Sequence, residues 1–75
     1  MKDLVLSLIE EIGLILGRDV AADEKLLVEG GLDSFGIMQV VAFLESTLGL
    51  AVPDEYLSGD SFVDINTIAS WASKL

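Results

Sequence analysis

The stretch Gly30-Gly31-Leu32-Asp33-Ser34-Phe35 decides how this chain folds, because an acidic loop ends there and an amphipathic helix begins. Two adjacent glycines release the backbone, and Asp33 is a residue type that caps helix N-termini through its side-chain oxygen. Ser34 falls in the first turn of the helix, where unpaired N–H groups and the positive end of the helix dipole meet. A phosphate attached to Ser34 would gain a few tenths to about 1 kcal/mol there. This setting favours a modification site at Ser34 over a catalytic serine. Taken alone, an Asp-Ser pair is more often a plain cap followed by a first-turn residue.

Upstream of this stretch, the segment from about Lys2 to Leu16 has the periodicity of an amphipathic helix. At about 100° per residue, its apolar side chains fall on one continuous arc and most of its polar side chains lie opposite. Leu6 and Leu14 fall outside the arc, so we expect them to be exposed or to lie at its margins. Gly17 follows in the position of a C-terminal cap. The arc consists of Leu4, Val5, Leu8, Ile9, Ile12, Ile15 and Leu16.

The connection from Gly17 to Asp33 has neither a helical nor a strand period and is acidic. A structureless connection of this length is unusual in a small domain and is typical of functional segments. We expect Leu26, Leu27 and Leu32 to tether the loop to the core. The same tether would position the start of the second helix.

The second helix is predicted from Ser34 to about Leu48, with one core face and one outward face. The inward arc consists of Ile37, Val40, Val41, Leu44 and Leu48, and the outward positions are Phe35, Met38, Gln39, Ala42, Glu45 and Ser46. Glu45 is the one acid on the outward face. An apolar strip beside Ser34 indicates a docking surface, to which we also assign Leu32. The alternative is that these are the scattered exposed hydrophobic residues found on any protein.

The rest of the chain is predicted to hold one short helical turn and a third main helix. Gly49 ends the second helix, and Pro53 interrupts any helical ladder. Ser61-Phe62-Val63 predicts a capped turn whose Phe62 fills the middle of the bundle, and Asp64 or Asn66 caps the last helix. The inward face of that helix consists of Ile65, Ile68, Ala69, Ala72 and Leu75, with Trp71 at its edge. The sequence thus predicts one all-α domain over residues 1–75, with three main helices, one short helix and a long first loop.

Composition restricts the classes of partner and compartment. Thirteen acidic residues against four basic ones give a net charge of -9, which opposes binding to nucleic acid and to anionic membranes and predicts basic surfaces on partners. Alternatively, the acidity only keeps a small hydrophobic domain soluble. The sequence shows no signal-peptide or transmembrane pattern, and it has no cysteines that would indicate an oxidising compartment. We therefore expect the protein to act in the cytoplasm.

Catalysis by the chain itself is not expected. The sequence contains no histidine to act as a base for Ser34, and Leu32 stands where a nucleophile elbow needs its first glycine. The adjacent acids Glu10-Glu11 and Asp54-Glu55 are typical of solvated surface residues. No metal site is predicted, since cysteine and histidine are both absent.

Two motifs resemble those of the acyl and peptidyl carrier proteins. They are Leu27-Val28-Glu29-Gly30-Gly31-Leu32-Asp33-Ser34-Phe35 and, after the next helix, Val52-Pro53-Asp54-Glu55, and the resemblance spans nearly the whole chain. It implies that a phosphopantetheinyl transferase attaches 4′-phosphopantetheine from coenzyme A to Ser34, with Asp33 helping to place the metal in the transferase complex. It also implies that the arm's thiol holds an acyl or aminoacyl group as a thioester. A loading ligase and a downstream acyl-accepting enzyme would be the other partners of a monomeric carrier.

The chain departs from the fatty-acid carriers in its second helix. Those carriers line this helix with acids, whereas this chain has Gly36, Met38, Gln39 and Ala42, and it has Phe35 where leucine commonly follows the serine. The resemblance therefore favours an aminoacyl carrier similar to the D-alanyl carrier proteins, or a carrier in a polyketide or peptide pathway. Two other hypotheses remain: an unmodified helical interaction module, and one switched by phosphorylation of Ser34.

Overall fold

The computed structural model describes residues 2–75 as three α-helices joined by loops that contain short 3₁₀ turns. The helices are α1 (Lys2–Leu16), α2 (Ser34–Ser46) and α3 (Ile65–Ala72), and the 3₁₀ turns are Val28–Gly30, Asp54–Tyr56 and Gly59–Phe62. Residues 2–75 contain no strand, and their one β-like feature is an isolated bridge between Leu27 and Leu32. The predicted all-α bundle is confirmed. The predicted fourth, short helix is replaced by two separate 3₁₀ turns in the segment before α3.

The predicted faces of α1 are confirmed. Leu8 and Ile12 are completely buried, whereas Leu6 and Leu14, which fall outside the apolar arc, are 49% and 79% exposed. The helix ends as expected at Gly17, whose φ of +72° is the left-handed conformation typical of a C-terminal cap. The other members of the arc are partly buried and pack against the core.

The α2 helix ends earlier than the sequence predicts. Its last residue is Ser46, Thr47 is the cap, and Leu48 is 37% exposed, so the predicted inward position of Leu48 is wrong. The reason is that the chain turns at Gly49, where φ is +69°, and the Leu50 N–H bonds back to the Leu44 carbonyl at 3.0 Å. Leu50 packs against the core after this turn.

The α3 helix begins at the predicted place and ends sooner. Asp64 Oδ1 accepts a hydrogen bond of 2.7 Å from the Thr67 N–H, so Asp64 is the cap and Asn66 lies inside the helix. In the last two residues the backbone N–H groups bond to the carbonyl three residues back and not four, so the chain beyond Ala72 is wound more tightly. The Leu75 N–H, for example, donates to the Ala72 carbonyl at 3.2 Å. This change of winding takes Leu75 off the inward face, where it was expected, and leaves it 42% exposed.

An aromatic cluster joins the two later 3₁₀ turns to α3. The rings of Tyr56 and Trp71 stack with centroids 4.6 Å apart, and Phe62 meets Trp71 edge-on at 5.6 Å. Phe62 is completely buried, which confirms its predicted place in the middle of the bundle. Trp71 is core rather than edge, and its Nε1–H donates to the Ser61 carbonyl at 2.8 Å. Ser61 lies inside its turn, so it does not cap the turn as predicted.

Candidate functional site

Asp33 and Ser34 form the junction between the long loop and α2. Asp33 has an extended backbone, and its Oδ1 accepts a hydrogen bond of 2.8 Å from the Gly36 N–H, while its carbonyl accepts the Ile37 N–H at 2.9 Å. Both are the bonds of a helix N-terminal cap, as predicted. Ser34 is consequently the first residue of α2, and it is exposed.

The environment of Ser34 suits an attached anion better than a nucleophilic catalyst. The N–H groups of Ser34 and Phe35 have no partner within the helix, because the Asp33 side chain satisfies only the N–H of Gly36. They lie at the positive end of a 13-residue helix. Within residues 2–75 no side chain forms a hydrogen bond with the Ser34 hydroxyl, and the sequence contains no histidine. Within residues 2–75 the hydroxyl is therefore accessible and is not hydrogen-bonded to a basic group.

Leu32 belongs to the core and not to the docking surface. Its side chain is only 3% exposed, which corrects the sequence-based assignment. The cause is Gly36, which is itself buried: a Cβ at that position would lie 2.7 Å from Leu32 Cδ1. The missing side chain of Gly36 thus lets Leu32 pack beneath the first turn of α2.

The other residues that were predicted to form the docking surface do share the exposed face of α2. Phe35 is 71% and Met38 is 56% exposed, and Gln39, Ala42 and Glu45 are exposed as well. Glu45 Oε2 accepts a 3.3 Å hydrogen bond from the Val52 N–H, so the one acid of this face is partly engaged within the protein. The exposed face beside Ser34 is therefore mainly apolar.

Residues 26–32, here called the closed turn, lead the chain to the site. The Leu32 N–H donates to the Leu26 carbonyl at 2.8 Å, and this bond closes the turn. The Leu26 N–H donates to the carbonyl of Val63, just before α3, also at 2.8 Å. Leu26 is completely buried, and Leu27 is partly buried against the core. The predicted tethering by these leucines is confirmed.

Arg18 is a residue of this site that the sequence analysis missed. Its Nη2 donates to the Gly30 carbonyl at 2.9 Å, and its Nη1 contacts Glu24 Oε2 at 2.8 Å and the Asp19 carbonyl at 3.1 Å. The Ala21 N–H bonds Glu24 Oε1 at 2.7 Å, and this bond, followed by those to Arg18, lowers the pKa of the Glu24 carboxyl. The available signal was a lone arginine at the start of an acidic loop.

Val28 is a second residue that periodicity did not reveal. Its φ is +55°, a left-handed conformation that is costly for a β-branched side chain, and the side chain is 93% exposed. Gly31, with φ of +92°, takes the same kind of conformation without that cost. The closed turn is therefore tightly wound at both positions.

These features agree with the comparison to protein families. The family model described as phosphopantetheine attachment site matches residues 6–75. The chain belongs to the acyl and peptidyl carrier protein family. This carrier protein therefore contains a site for covalent attachment of 4′-phosphopantetheine and has the general role of a phosphopantetheine-bearing carrier. Comparison with curated proteins and with solved structures gave no match.

The residues at the start of α2 fit this prosthetic group. The exposed hydroxyl of Ser34 would provide the oxygen of a phosphodiester, and the free N–H groups of the first turn would suit its negative charge. Phe35 and Met38 supply exposed apolar surface beside it.

None of the helices in residues 2–75 has both the length and the apolar character that a membrane span requires. In the same residues, no group of three or more Asp or Glu side chains is placed to hold a metal ion.

Proposed function

We propose that Ser34 receives the 4′-phosphopantetheine and that the chain is a non-catalytic carrier of acyl or aminoacyl groups. The observation that carries this proposal is the exposed Ser34 hydroxyl at the first position of α2, directly after the Asp33 cap and inside the family match. When bound, the group supplies a thiol that holds the cargo as a thioester. Its long arm lets one small protein serve several active sites.

The residues around Ser34 have distinct parts in this function. Asp33 uses Oδ1 to fix the helix start, and its other carboxylate oxygen is left to help place the metal ion in the complex with a phosphopantetheinyl transferase. We assign the base that removes the Ser34 proton to the transferase, since no side chain in residues 2–75 is hydrogen-bonded to the Ser34 hydroxyl. The first turn of α2 then stabilises the phosphodiester.

The outward face of α2 supports a cargo other than a long fatty acid. Fatty-acid carriers resemble this chain but present acids there, whereas this face has Phe35 and Met38 exposed and Glu45 bonded to the Val52 N–H. We propose an aminoacyl carrier of the D-alanyl type, or a carrier of a polyketide or peptide pathway. Its partners are a loading ligase and a downstream acyl-accepting enzyme, and it acts in the cytoplasm as a monomer with one domain over residues 1–75.

Intact mass spectrometry after incubation with coenzyme A, magnesium and a broad-specificity transferase tests the attachment residue. We expect the wild type to gain one phosphopantetheine and Ser34→Ala to gain none. Ser46→Ala is the matched control, because Ser46 is also exposed on α2 but its hydroxyl is bonded to the Ala42 carbonyl. An unchanged mass of the wild type contradicts the proposal and favours an interaction module without the arm. Equal labelling of Ser34→Ala contradicts the assignment of Ser34 and means that another residue carries the arm.

The cargo class is tested on the modified protein. The holo form is incubated separately with a ligase that activates amino acids and one that activates long fatty acids, each with ATP and substrate, and thioester formation is followed by mass. We expect loading by the first class. Loading by the fatty-acid ligase alone contradicts the aminoacyl proposal and leaves the attachment at Ser34 untouched.

A further inference from the structure

We propose that Arg18 is a positioning residue for modification at Ser34, because its guanidinium holds the closed turn before α2 against the end of α1. This inference rests on the proposed role of Ser34 as the attachment residue. Arg18 directly follows Gly17, the cap of α1, and its side chain reaches Gly30, twelve residues further along the chain.

The Arg18 guanidinium forms hydrogen bonds with both ends of the long loop at once. On the near side it contacts the Asp19 carbonyl and the Glu24 carboxylate, and on the far side it donates to the Gly30 carbonyl. Glu24 is fixed in turn by the Ala21 N–H. Arg18 is thus oriented before it bonds to Gly30, which reduces the entropy lost in holding the far side of the loop.

Gly30 is a rigid target for this contact. It is buried, and a Cβ on it would overlap the Lys25 carbonyl oxygen and lie 3.7 Å from Arg18 Nη2. The backbones of Lys25 and Gly30 and the guanidinium of Arg18 therefore meet at one point. The position of the Gly30 carbonyl is defined by this packing rather than by the flexibility of glycine.

The closed turn has two anchors, one on each side. The Leu26 N–H bond to Val63 holds it toward α3, and the Arg18 bond to Gly30 holds it toward α1. Among residues 2–75, Arg18 is the only side chain that donates a hydrogen bond to the closed turn. Ser34 lies just beyond the closed turn. A transferase that binds the start of α2 therefore contacts the closed turn as well. Loss of the Arg18 anchor should lower the fraction of molecules with a competent turn.

Three variants test the proposal: Arg18→Gln, Arg18→Lys and the control Lys25→Gln. The control removes one positive charge from the same loop, and the Lys25 side chain forms no hydrogen bond in residues 2–75. The first measurement is hydrogen exchange of the Leu32 amide, whose bond to Leu26 closes the turn. The second is the steady-state kinetics of phosphopantetheine transfer against carrier concentration, at a temperature where circular dichroism shows every variant to be folded.

We expect Arg18→Gln to speed exchange at Leu32 by roughly 5- to 30-fold, the factor that corresponds to one or two kcal/mol. The KM for the carrier should rise by a smaller factor than the exchange rate, with kcat unchanged, because only the competent fraction binds. Arg18→Lys should give intermediate values, since it keeps the charge but not the forked donor. Lys25→Gln should match the wild type in both measurements.

Unchanged Leu32 exchange and unchanged KM in Arg18→Gln would overturn the positioning role. So would a lower urea midpoint with normal KM, which describes a purely structural residue, or an equal rise in KM with Lys25→Gln, which describes a charge effect. If the wild type itself accepts no phosphopantetheine, the proposed function and the positioning role fall together. If the wild type accepts phosphopantetheine and Arg18→Gln does so with normal kinetics, only the positioning role is overturned.

Discussion

Gly30 lies so close to the backbone of Lys25 that a methyl group on residue 30 would overlap the Lys25 carbonyl oxygen. The obstacle is main chain, so no rotation of a side chain relieves it. The same glycine presents its carbonyl to Arg18 at 2.9 Å. Residue 30 is therefore constrained on one side by packing and on the other by a charged hydrogen bond, immediately before the start of α2.

Gly30→Ala should destabilise the protein by about 1–3 kcal/mol, the cost of forcing an extra methyl group into a packed site. Urea denaturation measures this change. Gly59→Ala is the matched control, because a Cβ there meets only Leu27 Cδ1 at an ordinary 3.4 Å. It should change stability by less than about 0.5 kcal/mol. Equal stability of the two variants would mean that the loop can move away from residue 30.

The part of the fold that local pattern controls could be predicted from the sequence. The apolar arc of α1, the Asp33 cap and the buried Phe62 each depend on residue type and spacing within one element. The positions of the helix ends were less visible in the sequence. Leu48 is exposed because the chain turns at Gly49, and Leu75 is exposed because the winding tightens beyond Ala72.

The missed features of the site are contacts between distant residues. Leu32 is buried because Gly36 leaves room for it, and Arg18 matters because the loop brings Gly30 to its guanidinium. Neither partner can be identified from periodicity, since both pairs meet only when the loop is folded. The left-handed conformation of Val28 was equally hidden, because valine is a residue type that disfavours it.

Val28→Asn should stabilise the protein by about 1 kcal/mol. Asparagine tolerates the left-handed conformation that valine adopts at a cost of about 1–3 kcal/mol, and the 93% exposed side chain has little packing to lose. Val28→Thr is the control, because threonine keeps the branched Cβ and should leave stability near that of the wild type. The measurement is the urea midpoint at constant m-value. A destabilised Val28→Asn would show that the exposed valine makes a stabilising contact.

Glu24 should make stability depend on pH in the acid range. Hydrogen bonds from the Ala21 N–H and from Arg18 lower the pKa of the Glu24 carboxyl in the folded state. The contribution of Glu24 to stability is therefore fully present above the pKa that its carboxyl has in the unfolded chain. It is lost as the pH falls through the lower pKa that the carboxyl has in the folded protein. Wild type should exceed Glu24→Gln in stability near neutral pH, with the difference closing in acid. A difference that stays constant across the acid range contradicts this linkage.

Salt should raise the thermal midpoint of the apo protein. The chain has a net charge of -9, and in residues 2–75 the one ion pair is that between Arg18 and Glu24. The other acids therefore repel one another with little compensation, and ions screen that repulsion. Melting curves in increasing sodium chloride, and then in magnesium chloride, measure the effect. The double variant Asp54→Asn/Glu55→Gln should respond less, and an indifferent wild type would show that the acids are too dispersed to interact.

Docking of the loading enzyme on α2 should depend more on Met38 than on Glu45. Full burial of a large apolar side chain contributes about 1.5–3 kcal/mol and an exposed ion pair about 0–1, while Met38 is 56% exposed and available for burial. Met38→Ala should therefore weaken transfer by roughly fivefold or more, mainly through faster dissociation.

Glu45→Gln is a suitable comparison, because glutamine keeps an acceptor for the Val52 N–H and removes only the charge. Ser46→Ala, at the far end of the helix, serves as the neutral control. Glu29→Gln, in the loop, should mainly slow association, as expected for an acid that steers a basic partner. Transfer kinetics at two salt concentrations separate these effects. A larger loss for Glu45→Gln than for Met38→Ala, abolished at high salt, would show that this carrier is recognised through acids, as the fatty-acid carriers are.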